Sequence, residues 1–173
     1  NADTDSYLWG GLSDNDWSTG SNWYKWDGMM WSAQNQAPNA ITSKIFTVEE
    51  GTCISSLSPI ISGSQTLGSI NISDNSEIDL GSASLIIDGD ILNNGILNAG
   101  TSSLSFVNSS SDQIISGNGS TTFNNLTVSK SAGNLILNSP VTVKGTLDLQ
   151  SNILNGSNVL SLGTSSTITG FLS

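Results

Sequence analysis

Histidine and arginine are both absent, and four lysines face fourteen acidic residues, for a formal net charge of −10. Without histidine, neither a Ser-His-Asp nor a Cys-His arrangement can be assembled, and His-based zinc sites are excluded. Without arginine, the acid and arginine pairing used by many β-helical polysaccharide lyases is missing, and a chain this acidic offers no basic patch to phosphates. No nucleic-acid partner is expected. Cys53 is the single cysteine, so there is no intrachain disulfide and no CxxC metal site, and its expected role is that of a small buried apolar residue. No apolar run approaches the ~18 residues of a membrane-crossing helix, so no transmembrane segment is expected. Asn1 opens the chain without the basic and apolar regions of a signal peptide, as if a signal had been removed or had never been present.

Charged residues make up only 10% of the chain, and about half of the residues are Ser, Thr, Asn or Gly. That composition alone suits disorder. What argues against disorder is a recurring apolar couplet. In the stretch 134–149 the pairs Leu135/Leu137, Val141/Val143 and Leu147/Leu149 each enclose one residue of opposite facing, which places both apolar side chains on one side of a short extended segment. The separators Asn138 to Pro140, and then Lys144 and Gly145, are too short for a helix and suit tight bends.

The couplets recur at solenoid spacing. Leu126, Leu147 and Ile168 stand 21 positions apart, and Val141 and Leu160 stand 19 apart. Upstream, Ile70/Ile72, Ile78/Leu80, Leu85/Ile87 and Leu104/Phe106 continue the pattern, with polar insertions such as Asn108 to Asp112 that belong on the outside of a stack. One coil buries too little apolar surface to offset the entropy of ordering it, so coils must stack. The sequence therefore predicts an all-β parallel β-solenoid, or β-helix, with about three short strands per coil. The rival, an antiparallel β-sandwich, needs longer alternating runs joined by hairpins.

Residues 1–40 differ in kind. All five tryptophans, Trp9, Trp17, Trp23, Trp26 and Trp31, fall here with Tyr7, Tyr24, Met29 and Met30, among glycines and an SDND turn that break the segment into irregular loops. An N-terminal cap is the plain reading, with bulky rings covering the open end of the core and its first unpaired ladder. A glycan platform is the functional reading, and it requires exposed, coplanar rings. The solenoid is assigned to 41–173, with Ile45 and Thr47 on one face of its first strand and Phe46 and Val48 on the other. Thr164 to Ser173 carries no plug, so the solenoid is expected to continue past Ser173 or to be covered at that end by another chain.

Candidate sites are few. Asp88 and Asp90, in DGD, are the best-spaced carboxylate pair for glycosidase chemistry, although a turn or a loosely held cation is the commoner reason for such a pair. Asp14/Asp16 and Asp88/Asp90 have the D-x-D form of loop ligands for calcium, yet neither pair belongs to a complete EF-hand or to repeated Gly-Asp nonapeptides. Solvated turn carboxylates are the simpler reading. No catalytic, cofactor-binding or metal residue is therefore assigned, and no cofactor is expected. Only Thr167 and Thr169 have the alternating threonine form of an ice-binding face, so no such row is expected, and the five Asn-x-Ser/Thr sequons follow from composition.

The opening WGGLSDNDWSTGSNW at Trp9 to Trp23, DQIISGNGSTTFNNLTV at Asp112 to Val128, VTVKGTLDLQSNIL at Val141 to Leu154 and NVLSLG at Asn158 to Gly163 together resemble the large secreted surface proteins of Bacteroidetes-type bacteria. YKWDGMMW at Tyr24 to Trp31 is more aromatic than that pattern. The resemblance implies export by type IX secretion machinery, an extracellular position on the bacterial surface, and a non-enzymatic structural or adhesin role as a stiff spacer or contact surface that meets glycans or other cells. The alternatives are a carbohydrate-binding module built on the tryptophans and a polysaccharide-active enzyme.

Overall fold

The structure is a computed structural model that describes residues 2–47, 57–108, 110–150, 154–156 and 160–170, the strand at 154–156 by its backbone alone. Cys53, and Val48 at the end of the first solenoid strand, lie outside the described residues. The fold is a parallel β-solenoid of about five turns.

The N-terminal region contributes β1 (Ser6–Trp9), a short 3-10 turn (Gly20–Asn22), β2 (Trp23–Trp26), β3 (Trp31–Ala33) and β4 (Ala40–Phe46). The first coil holds β5 (Ser64–Ile72) and β6 (Glu77–Asp79), and the second holds β7 (Ser84–Ile87), β8 (Ile91–Asn93) and β9 (Ile96–Asn98). The third is β10 (Ser103–Phe106), β11 (Gln113–Ser116) and β12 (Ser120–Phe123), and the fourth β13 (Asn125–Val128), β14 (Leu135–Leu137) and β15 (Val141–Val143). β16 (Thr146–Leu149), β17 (Leu154–Gly156) and β18 (Leu160–Leu162) form the fifth, and β19 (Thr167–Gly170) begins another. Three strands per coil, as the couplets predict, stack into three ladders.

β5 belongs to two of those ladders. Its first half, through Leu67, pairs in parallel with β7, while Ile70 to Ile72 pair with β8. Gly68 makes the corner, because a side chain there would press on the Ile41 carbonyl and the Thr42 backbone of the preceding strand. From β5 the first ladder runs β7, β10, β13, β16, β19, the second runs β8, β11, β14, β17, and β6 starts a third through β9, β12, β15, β18. Every solenoid pairing is parallel, which excludes the sandwich.

Register makes the core. Leu85, Leu104, Leu126, Leu147 and Ile168 lie opposite one another in successive coils, as do Ile87, Phe106, Val128 and Leu149. On the third ladder Ile78, Leu97, Thr121, Val141 and Leu160 form the corresponding file. All of these except Leu160 and Ile168, in the last coils, are buried. At 4.7–4.9 Å between strands, five coils give a core roughly 24 Å long.

The cap is more regular than its sequence suggests. β4 pairs in parallel with β5 and with β1, after which β1, β2 and β3 continue as antiparallel neighbours. The second ladder is thus carried over the end of the stack. The third is extended by bridges from Asp79 to Ile60 and from Ile60 to Asp16. Pro59, which has no N–H to give, precedes that bridge and accepts from Asp79 through its carbonyl at 3.0 Å. Among the described residues no helix is long and apolar enough to cross a membrane.

Candidate functional site

The five tryptophans divide into two groups. Trp9, Trp17 and Trp23 are buried, and meet edge to face, Trp9 to Trp23 at 5.0 Å and Trp17 to Trp23 at 4.5 Å. Each buried indole N–H has an acceptor: Trp9 donates to the Leu57 carbonyl at 2.7 Å, Trp17 to Pro38 at 3.4 Å, and Trp23 to Trp17 at 2.8 Å. Large rings with satisfied polar edges are what closing an apolar column requires. These three join the solenoid core in one continuous cluster.

Trp26 and Trp31 are half-buried and sit opposite each other on the β2–β3 hairpin, 5.4 Å apart at an interplanar angle of 65°. Trp31 also packs edge to face against Phe46 at 6.5 Å. No two tryptophans in ring contact among the described residues are coplanar, so a flat two-ring platform is not formed. The hairpin tip is ordered by Asp27, whose carboxylate accepts the backbone N–H groups of Met29 and Met30, both at 2.8 Å, and the Ser32 hydroxyl at 3.2 Å. These bonds hold the Asp27 carboxyl below the usual carboxylate range. Met29 and Met30 project into solvent.

Beside Trp26 the hairpin bounds an open groove of about 250 Å³ with Thr4, Lys25, Asp27, Ser32 and Gln34. The Lys25 ammonium lies 5.2 Å from the Tyr7 ring centroid. Gln34 is steadied by donating to the Ser32 carbonyl at 2.9 Å and the Ala33 carbonyl at 3.2 Å.

The carboxylate pairs have local employment. In the SDND turn, Asp14 accepts from Asp16 N–H, from the buried Asn22 side chain and from the Thr19 hydroxyl, while Asp16 accepts from Ser18. Asp14 is consequently held below the usual range, chiefly by Asn22. Asp90 accepts the Ile114 N–H at 2.8 Å, a bond that ties the second coil to the third. Asp88 and Asp90 also act on Lys130, a residue the sequence reading did not single out. Its buried ammonium donates to the Asn108 carbonyl at 2.7 Å, the Ser111 carbonyl at 2.9 Å and the Gln113 side chain at 3.0 Å. Burial pushes this lysine down, and the charges of Asp112, Asp88 and Asp90 oppose that shift. The DGD pair is therefore part of the countercharge of a buried lysine that locks the insertion at Asn108. Among the described residues no group of three or more acidic, cysteine or histidine side chains is gathered as for a metal.

On the outer side of the first ladder, Ile86, Ser105, Thr127, Asp148 and Thr169 form one file, with Thr169 donating to Asp148 at 2.8 Å. Only Thr127 and Thr169 in this file are threonines, and Asp148 stands between them. Comparison of the chain with protein-family models, with curated proteins and with solved structures finds no match.

Proposed function

We propose that this chain is a non-enzymatic structural segment of a secreted cell-surface adhesin, acting as a stiff spacer or contact surface. The observation that supports this reading is the run of three parallel ladders through successive coils in unbroken pairing. Their hydrogen bonds lie along the stack axis, so bending the rod strains many bonds at once, and the outward side chains are mostly small and neutral. Leu162 and Ile168, in file with Val143 and Leu147, are exposed. Export by type IX machinery and display outside the cell complete the proposal, on the resemblance of the opening and repeat segments.

Antibodies raised against the folded segment test it. They are expected to label intact source cells without permeabilisation, and deletion of the segment is expected to reduce attachment to surfaces or to other cells. Labelling only after permeabilisation, or hydrolysis of a polysaccharide that Asp88→Asn and Asp90→Asn abolish, would overturn the reading.

A further inference from the structure

We propose that the insertion at Asn108, with Gln113, is an oxygen cage for a large monovalent cation, and that the Lys130 ammonium is its tethered occupant. This goes beyond the spacer role and does not depend on it. The buried Lys130 Nζ donates to the Asn108 carbonyl at 2.7 Å, the Ser111 carbonyl at 2.9 Å and the Gln113 amide oxygen at 3.0 Å, and each of these acceptors is a neutral oxygen. Neutral carbonyl-type oxygens converging on a positive charge replace its hydration shell, as backbone carbonyls do in potassium pores. The countercharge stands farther out, in Asp112, Asp88 and Asp90, which act on the ammonium through space.

The cage is shaped by bonds that do not involve Lys130. Asn108 Oδ1 accepts the Ser110 and Ser111 N–H groups at 2.9 and 3.0 Å, a turn that brings the Asn108 and Ser111 carbonyls to one point. Gln113 Nε2 donates to the Ile87 and Gly89 carbonyls at 3.0 and 2.8 Å, and its Oε1 accepts the Asn108 N–H at 3.1 Å, so the amide is fixed with its oxygen toward Nζ. These groups belong to the second and third coils, whereas Lys130 follows β13 in the fourth. Filling the cage therefore fastens the fourth coil to the third. The contact distances set the ligand class. Calcium takes its oxygens at about 2.3–2.6 Å and magnesium at about 2.0–2.1 Å, so a cage that holds its occupant at 2.7 to 3.0 Å suits an ammonium or an alkali ion of that size.

The test is chemical rescue. Lys130→Ala is unfolded in urea in the chlorides of choline, potassium, ammonium, propylammonium and calcium at one ionic strength. Choline is too bulky for the cage and reports the general effect of salt, while propylammonium restores the excised atoms. Potassium, ammonium or propylammonium is expected to stabilise the variant saturably over choline, raising the ratio of folded to unfolded chain about tenfold at about ten times the dissociation constant, and the wild-type chain should not distinguish these cations. Should Lys130→Ala fail to fold, Lys130→Met, which keeps most of the stem, carries the same titration with potassium and ammonium. Mapping of amine acetylation by mass spectrometry gives a reading on the wild-type chain, in which exposed Lys144 should react and buried Lys130 should be protected until the fold opens. Equal stability of the variant in choline and in the smaller cations, a wild-type chain that responds as the variant does, stronger stabilisation by calcium than by any monovalent cation, or native-state acetylation of Lys130 as fast as that of Lys144 would each overturn the assignment.

Discussion

Truncating one leucine file at different depths separates a stacked core from a set of unrelated apolar sites. Leu126 is fully buried between Leu104 and Leu147, so Leu126→Ala leaves a cavity closed above and below. The cost is about 2–5 kcal/mol, which for a chain of this size lowers the melting temperature by roughly 7–14 °C at the middle of that range. Ile168 occupies the same file one coil past Leu147 but is 44% exposed. Ile168→Ala removes about three methylene equivalents, roughly half-hydrated already and with no closed cavity behind, for about 1 kcal/mol. Urea unfolding followed by circular dichroism and by tryptophan fluorescence gives both values, and the double variant Leu126→Ala/Leu147→Ala should be non-additive by about 0.5–3 kcal/mol. Equal costs at Leu126 and Ile168, together with strict additivity at Leu126 and Leu147, would refute the column.

Lys130→Met keeps the bulk of the stem but strands the Asn108 and Ser111 carbonyls and the Gln113 side chain, so a loss of about 2 kcal/mol or more is expected in denaturant unfolding. Because burial lowers the Lys130 pKa, the unfolded chain holds more protons as pH climbs toward 10.5, and wild-type stability should rise there relative to Lys130→Met. Asp27 has the opposite sign: its depressed pKa means that hairpin stabilisation is complete above 3.8 and is lost as pH falls through the lower folded value, which an acid titration of Trp26 and Trp31 fluorescence should report and Asp27→Asn should abolish. Gly119→Ala would drive a methyl into the Gly95 carbonyl of the coil before it, and should destabilise by about 1–3 kcal/mol or more as overpacking does, whereas Ser131→Ala, on an exposed turn, should leave the melting temperature unchanged.

The solenoid was legible because its signal is local and repeated. Leu135/Leu137, Val141/Val143 and Leu147/Leu149 are each a complete strand with both apolar side chains buried, and the 21-residue step from Leu126 to Leu147 is the actual register. The cap was legible only in part. Tryptophan content marks where it lies, but the parallel seat of β1 on β4 joins residues about forty positions apart and leaves no period to read. Least legible were the polar residues turned inward. Asn93, opposite Ile72 in the core file, donates to the Ser120 carbonyl and the Thr121 hydroxyl and accepts from Gly95, and Gln113 bridges the Ile87 and Gly89 carbonyls. Each replaces an apolar couplet member, and Gln113 does so beside the insertion at Asn108, whose backbone N–H its side chain accepts at 3.1 Å. Lys130 serves the same insertion from the coil after it, a role visible only once the coils are in register.

The central claim is that residues one coil apart sit side by side in parallel. The most direct measurement is the pattern of interstrand nuclear Overhauser contacts around Thr127, Asp148 and Thr169. Cross-peaks linking Thr127 to Asp148 and Asp148 to Thr169 in parallel geometry are the predicted result. Contacts joining β15 to β16 as an antiparallel hairpin would contradict it.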